Sequence, residues 1–315
     1  MKKFLIILGV LLFVGGAVLL AISLTNGAIK NASAQIIHNE KTVEESFNNI
    51  KIDVATADVI FEESSDDKCK VLLDEKEKYY HKVEVKDDTL TITSVDEYKF
   101  FERLIPSFGT LKVTILLPHN TYNNLDINIS TGDVVSLMNL TLNEFRIDGS
   151  TGDLNVENMN VNGEMYIDLS TGDINLKNTN CTKLKIDIST GKTNLNHVNA
   201  NEITLKHSTG KVNFESVRGE KATIDGSTGK TTLTDTIFTG NLYIETSTGD
   251  VVFKDSDADT IEIIGETSDI TGNLLTGKTF ITSTTTGKNR PQPGSTGKEC
   301  RITTTTGDII ITVGN

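Results

Sequence analysis

Asp133, Asp153 and Asp173 each follow a Ser-Thr-Gly triplet, and Asp148 and Asp168 stand five residues ahead of the last two. Asp148, Asp153, Asp168 and Asp173 are the carboxylates whose spacing suggests a cation site, since Ca2+ is held by several carboxylate and carbonyl oxygens. The chain lacks the Gly-Gly-x-Gly-x-Asp nonapeptide of calcium-binding β-rolls. The four aspartates are therefore a weak Ca2+ candidate, and a solvated acidic face is the leading expectation. A column two residues before each Ser reads Asn128, Asp148, Asp168, Asp187, Lys206, Asp225, Glu245, and the residue after Gly reads Asp133, Asp153, Asp173, Lys192, Lys211, Lys230, Asp250.

Catalytic chemistry finds less support. No two of His38, His81, His119, His197 and His207 share a metal-ligand spacing. Asp187, Lys206 and Asp225 are the set a surface glycan-processing enzyme would use. A glycosidase, however, needs two carboxylates in a cleft with one pKa raised, and an outward column offers none. Trp, the common sugar-stacking residue, is absent, and Tyr166 and Tyr243 look isolated. No residue is assigned as catalytic, and no cofactor is expected. His207 is expected inside as a hydrogen-bonded residue. Cys181 is expected as a small buried hydrophobe, and a Cys69–Cys300 bond stays open.

These residues are positioned by a repeat. Ser-Thr-Gly recurs with glycines at 132, 152, 172, 191, 210, 229 and 249, and continues in degenerate form at Thr267-Ser268-Asp269, Thr286-Gly287 and Thr306-Gly307. Before the triplet, apolar residues alternate with polar ones, as in Phe145, Ile147 and Met165, Ile167, Leu169. After it the alternation resumes, as in Leu154 and Val156. Alternation of period two marks a strand with one buried face. Each unit thus reads as two short strands bent at Ser-Thr-Gly, followed by a looser third side that places Val161, Cys181, Ala200, Gly219, Phe238 and Ala258 inward. Gly at the bend supplies positive φ. A unit of 19–20 residues cannot bury its apolar face alone, but a stack of them can. The fold class is therefore all-β: a parallel β-solenoid, right-handed by the crossover rule. Some ten coils follow residue 126, about 50 Å of rod at roughly 4.8 Å per coil. Ser295-Thr296-Gly297 falls out of phase and is assigned to an inserted loop over Asn289–Gly297.

Residues 36–125 read as an irregular β cap continuous with the solenoid. Thr56-Ala57-Asp58 is a worn copy of the bend, Asp87-Asp88 a hairpin turn, and Lys112–Leu117 a strand. The first thirty residues differ. Lys2 and Lys3 precede an uncharged run, Phe4–Leu24, about 31 Å long as a helix and enough to cross a bilayer core of roughly 30 Å. This predicts a signal anchor over 1–30 with its N-terminus cytoplasmic and the remainder extracytoplasmic. Cleavage after Ala32-Ser33-Ala34 is the competing reading and would release the protein. The chain carries 30 basic and 43 acidic residues, and the portion after residue 30 has a net charge of −16. That acidity excludes a nucleic-acid binder.

The anchor, the Val113–Pro118 strand and the Ser-Thr-Gly-Asp-Ile/Val units together resemble the bacterial putative-adhesin family, which includes LiaG-like envelope proteins. The resemblance implies a β-solenoid at the cell surface and no established chemistry. It departs from the Asp-rich bend at Lys192, Lys211, Lys230 and Lys288. The function expected is a non-enzymatic, membrane-anchored surface or envelope binding protein, its partners a cell-wall polymer or another envelope protein. An accessory of envelope-stress signalling and a glycan-processing enzyme are the alternatives.

Overall fold

A computed structural model of the chain describes residues 36–99, 110–119 and 121–314. The anchor expected over 1–30 lies outside them. Among the described residues every regular element is a strand, and no helix is long and apolar enough to cross a membrane. The strands form one continuous sheet wound into about ten turns of parallel β-solenoid.

The alternation read from the sequence sets the register. Phe145, Ile147 and Gly149 stand against Met165, Ile167 and Leu169, and these against Leu184, Ile186 and Ile188. Met165, Ile167, Leu184 and Ile186 are 0% exposed. Each such Ile or Leu contributes about 1.5–3 kcal/mol of burial, and the rod's interior is a largely apolar column. Polar partners between them, such as Tyr166 and Asp168, point outward.

The coil has three corners. At the first, Gly132, Gly152, Gly172, Gly191, Gly210 and Gly229 adopt φ of 140–157°. A Cβ on Gly152 would lie 1.9 Å from the Gly132 carbonyl oxygen, so both backbone conformation and close stacking demand glycine here. The second corner falls six residues later, at Asn158, Asn178, His197, Ser216, Asp235 and Asp255, all with φ of 44–59°. Asn and Asp tolerate this left-handed region better than most residues. Buried Thr179, Thr236 and Ser256 follow, each donating its hydroxyl proton to the carbonyl two residues back and closing the turn. The third corner absorbs the irregular period. The register shifts between Val161 and Glu164 and between Phe238 and Asn241, which places the extra residue of two 20-residue units there.

Spatial order departs from chain order at both ends. Asn49–Thr56 lies between Thr89–Asp96 and Thr121–Thr131, parallel to both, and Asp58–Glu63 lies between Lys112–Leu117 and Val134–Ser136. The bend at Ala57 thus belongs to a regular coil. Its lower neighbour is assembled from residues that come later in the chain. Antiparallel strands finish this end: Cys69–Glu75 on Lys112–Leu117, Ile37–Val43 on Cys69–Glu75, and Tyr79–Lys86 on Thr89–Asp96. The hairpin turn at Asp87-Asp88 is as expected, with φ of 48° and 62°.

At the other end, the last coil in sequence is not the last in space. Lys298–Thr306 pairs with Val251–Thr267 on one side and with Lys278–Thr286 on the other. Ile309–Val313 likewise sits between Ile270–Leu274 and Asn289–Pro291. Residues 278–291 therefore form the outermost coil, and residues 298–313 fill the gap beneath it. This corrects the inserted-loop reading. Asn289–Pro291 is a strand, and a Cβ on Gly297 (φ +152°) would lie 1.9 Å from the Gly277 carbonyl oxygen. Only the stretch from 292 to 297 connects. The Cys69–Cys300 bond, left open by the sequence, is not formed: all three cysteines are free and buried.

Candidate functional site: the outward columns

The expected aspartate columns are present, and the one that follows the bend glycines has a structural task. Asp133 Oδ1 accepts the backbone N–H of Asp153 at 2.8 Å, Asp153 Oδ1 accepts that of Asp173 at 2.7 Å, and Asp173 Oδ1 accepts that of Lys192 at 2.8 Å. The ladder begins with Asp58 on the Asp133 amide and resumes with Asp269 on Asp308 and Asp308 on Lys288. Asp after the bend glycine thus caps the amide of the coil above. Lys192, Lys211 and Lys230 carry no acceptor and interrupt it.

Asp148 and Asp168 stand in register on the neighbouring outward column. Asp148 lies 3.9 Å from the Arg146 guanidinium, and Asp168 accepts from the Tyr166 hydroxyl at 3.3 Å. The four Ca2+ candidates therefore divide between two columns on either side of the corner. Among the described residues no three His, Cys, Asp or Glu side chains converge in a way that would hold a metal ion. Asp187, Lys206 and Asp225 are register neighbours in successive coils. None lines the depressions of about 430, 490 and 520 Å³ on the surface.

The tyrosines are not isolated. Tyr166 is sandwiched, its ring centroid 4.3 Å from Arg146 Cζ and 4.8 Å from Lys185 Nζ. Such cation–π contacts contribute about 0.5–1 kcal/mol at exposed sites. Partial burial and the Asp168 carboxylate raise the Tyr166 pKa. Tyr243 donates to Glu245 Oε2 at 2.8 Å, and that bond pushes its phenol up to about 12. The columns form a fixed mosaic of paired charges and phenols about 4.8 Å apart along the rod.

His207 is buried at 6% exposure between Ile188 and Gly226. The imidazole occupies the space a Cβ on Gly226 would take, 2.2 Å from His207 Nε2. The expected hydrogen bond is not made at Nδ1, which is buried without a partner. Burial lowers the pKa, against the pull of Asp225.

Sequence reasoning missed the asparagine ladders. Asn175 Nδ2 donates to Asn155 Oδ1 at 2.8 Å, Asn194 to Asn175 at 2.7 Å and Asn213 to Asn194 at 2.8 Å. A second ladder joins Asn160, Asn180 and Asn199. The signal was available: Asn155, Asn175, Asn194 and Asn213 each lie three residues after a bend glycine. A buried pair was missed as well. Lys278 Nζ lies 2.7 Å from Asp257 Oδ1, and both side chains are under 7% exposed. Lys278 also donates to the Ala258 carbonyl, and Asp257 Oδ2 accepts from the Thr276 amide and hydroxyl.

Two solved structures share this architecture. One is described as that of a putative adhesin from Parabacteroides merdae, at 17% identity and TM-score 0.52, and the match covers 76% of this chain and 96% of that one. The other is described as a putative lipid binding protein from Parabacteroides distasonis, at 16% identity and TM-score 0.53, with the same coverages. At these identities the likeness is one of fold. No curated protein matches the chain. The Toastrack DUF4097 family matches residues 47–234, from the first regular coil through the sixth Ser-Thr-Gly triplet, and the chain belongs to that family.

Proposed function

We propose that this chain is a non-enzymatic rod of the cell surface or envelope. In this reading residues 1–30 hold it to the membrane with the solenoid outside, and the outward columns bind a cell-wall polymer or another envelope protein. The observation that carries the reading is the surface itself. Charged, phenolic and amide side chains repeat in rigid register along the rod, and the acid and lysine sets nominated for catalysis lie on an open face rather than in a cleft. The descriptions of the two structural neighbours, an adhesin and a lipid-binding protein, agree with a binding role. The sequence of 1–30 supports the anchor.

Three measurements test this. A wall-polymer pull-down with the full chain should retain the protein, and a polysaccharide panel should show no product release. Products that vanish in Asp187→Ala or Asp225→Ala would overturn the non-enzymatic reading. Intact mass of the protein in the native membrane fraction should include residues 1–30, and a mass beginning after Ala34 would overturn the anchor.

A further inference from the structure

The face between the glycine corner and the left-handed corner carries a depression of about 430 Å³, lined by Leu137, Asn155, Glu157, Asn175, Lys177 and Asn194 among others. Asn155, Asn175 and Asn194 are half-buried along it. We infer that this groove binds an uncharged, hydroxyl-bearing polysaccharide chain lying along the rod axis. The inference deepens the binding role proposed above and rests on it.

The ladder pre-organises the groove. Asn175 donates one amide hydrogen to Asn155 and accepts one from Asn194, and Asn194 does the same between Asn175 and Asn213. A carboxamide has two hydrogens and two lone pairs. Each of these rungs therefore presents one free donor and one free acceptor outward, with its orientation already fixed and little entropy left to lose on binding. A sugar hydroxyl both donates and accepts, which matches such a rung. The three rungs in the groove, with Leu137 in the adjoining coil, span about 14 Å at the coil spacing, the scale of a short run of sugar units.

Charge and backbone narrow the class. Glu157 and Lys177 pair with each other at 3.3 Å, so the lining offers no uncompensated charge to an ionic polymer. The backbone of these strands is paired on both sides: Leu154–Glu157 between Val134–Ser136 and Ile174–Lys177, and Thr193–Asn196 between Ile174–Lys177 and Val212–Glu215. A peptide seeking an open strand edge finds none here. At the groove's end Leu137 is 57% exposed, an apolar surface for the C–H face of a sugar ring.

The test is isothermal titration of the full chain in detergent micelles with cellohexaose and chitohexaose. At least one should bind. Leu137→Glu, which leaves the ladder intact, and Asn175→Val/Asn194→Val should each weaken binding at least tenfold. Asn180→Val, in the second ladder on another face, should leave it unchanged. Thermal melts of all variants separate lost binding from lost fold. No binding of either sugar at millimolar concentration overturns the inference, while the wall-polymer pull-down still judges the broader role. Binding that survives Leu137→Glu and the double variant also overturns it, and places the sugar elsewhere on the rod.

Discussion

Asp173 holds Lys192 twice: its Oδ1 accepts the Lys192 backbone N–H at 2.8 Å, and its Oδ2 lies 3.6 Å from Lys192 Nζ. This is where the aspartate ladder meets the lysine block, and it shows what Asp at the bend is for. The carboxylates of Asp58, Asp133, Asp153 and Asp173 each satisfy a corner amide in the next coil, and the acidic column there is a by-product of that task.

Lys211→Asp should therefore stabilise the protein. The new carboxylate would accept the Lys230 amide and sit between Lys192 and Lys230, relieving like charge at the same time. The gain should be about 0.5–1 kcal/mol, read as a rise in Tm. A lower Tm would count against the capping role.

Calcium should leave Tm unchanged at millimolar concentration, because the Oδ1 atoms of Asp153 and Asp173 already serve backbone amides. A calcium-dependent rise lost in Asp148→Asn/Asp168→Asn would support the cation site.

Gly191→Ala should be strongly destabilising. Its φ is 148°, and the added Cβ would lie 1.8 Å from the Gly172 carbonyl oxygen. Backbone strain alone costs about 1–3 kcal/mol, and the overlap adds to it. Gly294→Ala isolates the overlap: its φ of 69° is left-handed too, but nothing lies within 4 Å of its Cβ, so it should cost less. Equal melting temperatures for the two variants would refute the stacked-corner account.

His207 should make the rod acid-sensitive. Its folded pKa lies below the unfolded value of about 6.5, so the unfolded chain binds the proton more readily. Its contribution is intact above that value and is lost as pH falls below it. Wild type should lose more Tm between pH 7.5 and pH 5 than His207→Leu does, and identical pH dependence would contradict the assignment.

Asp257→Ala should loosen the far end of the rod. Removing one partner of a buried ion pair typically costs about 3–5 kcal/mol, because the other charge stays buried and unpaired. Hydrogen exchange should rise in residues 270–313 and stay unchanged near Asn155. A uniform rise along the chain would argue against a local pin.

Much of this architecture was legible because a parallel solenoid repeats its physics in its sequence. Ile147, Ile167 and Ile186 announce the inward column, and Gly152, Gly172 and Gly191 announce the corner. The second corner was overlooked because its residues, Asn158, Asn178, His197 and Ser216, share a backbone conformation and no side-chain type. The asparagine ladder escaped notice because polar outward residues were read as solvated, whereas Asn175 bonds to the coils on both sides. The end swaps were illegible for a deeper reason. Thr286-Gly287 and Thr306-Gly307 are equivalent as corners, so nothing local says which one stacks on Ser268. Asp257 and Lys278 carry that information across the skipped level, and it appears only when both are seen buried together.

The displaced final coil gives the chain a keystone. Synthesis delivers residues N-terminal first, and most of the rod can grow by laying each coil on the one before. Residues 298–313 break that sequence, for their place lies between two coils that precede them in the chain. Completion must therefore wait until residues 298–313 are free of the ribosome and of any export channel. A chain cut short before residue 298 would carry an open slot with two unpaired sheet edges, a visible mark of an unfinished molecule.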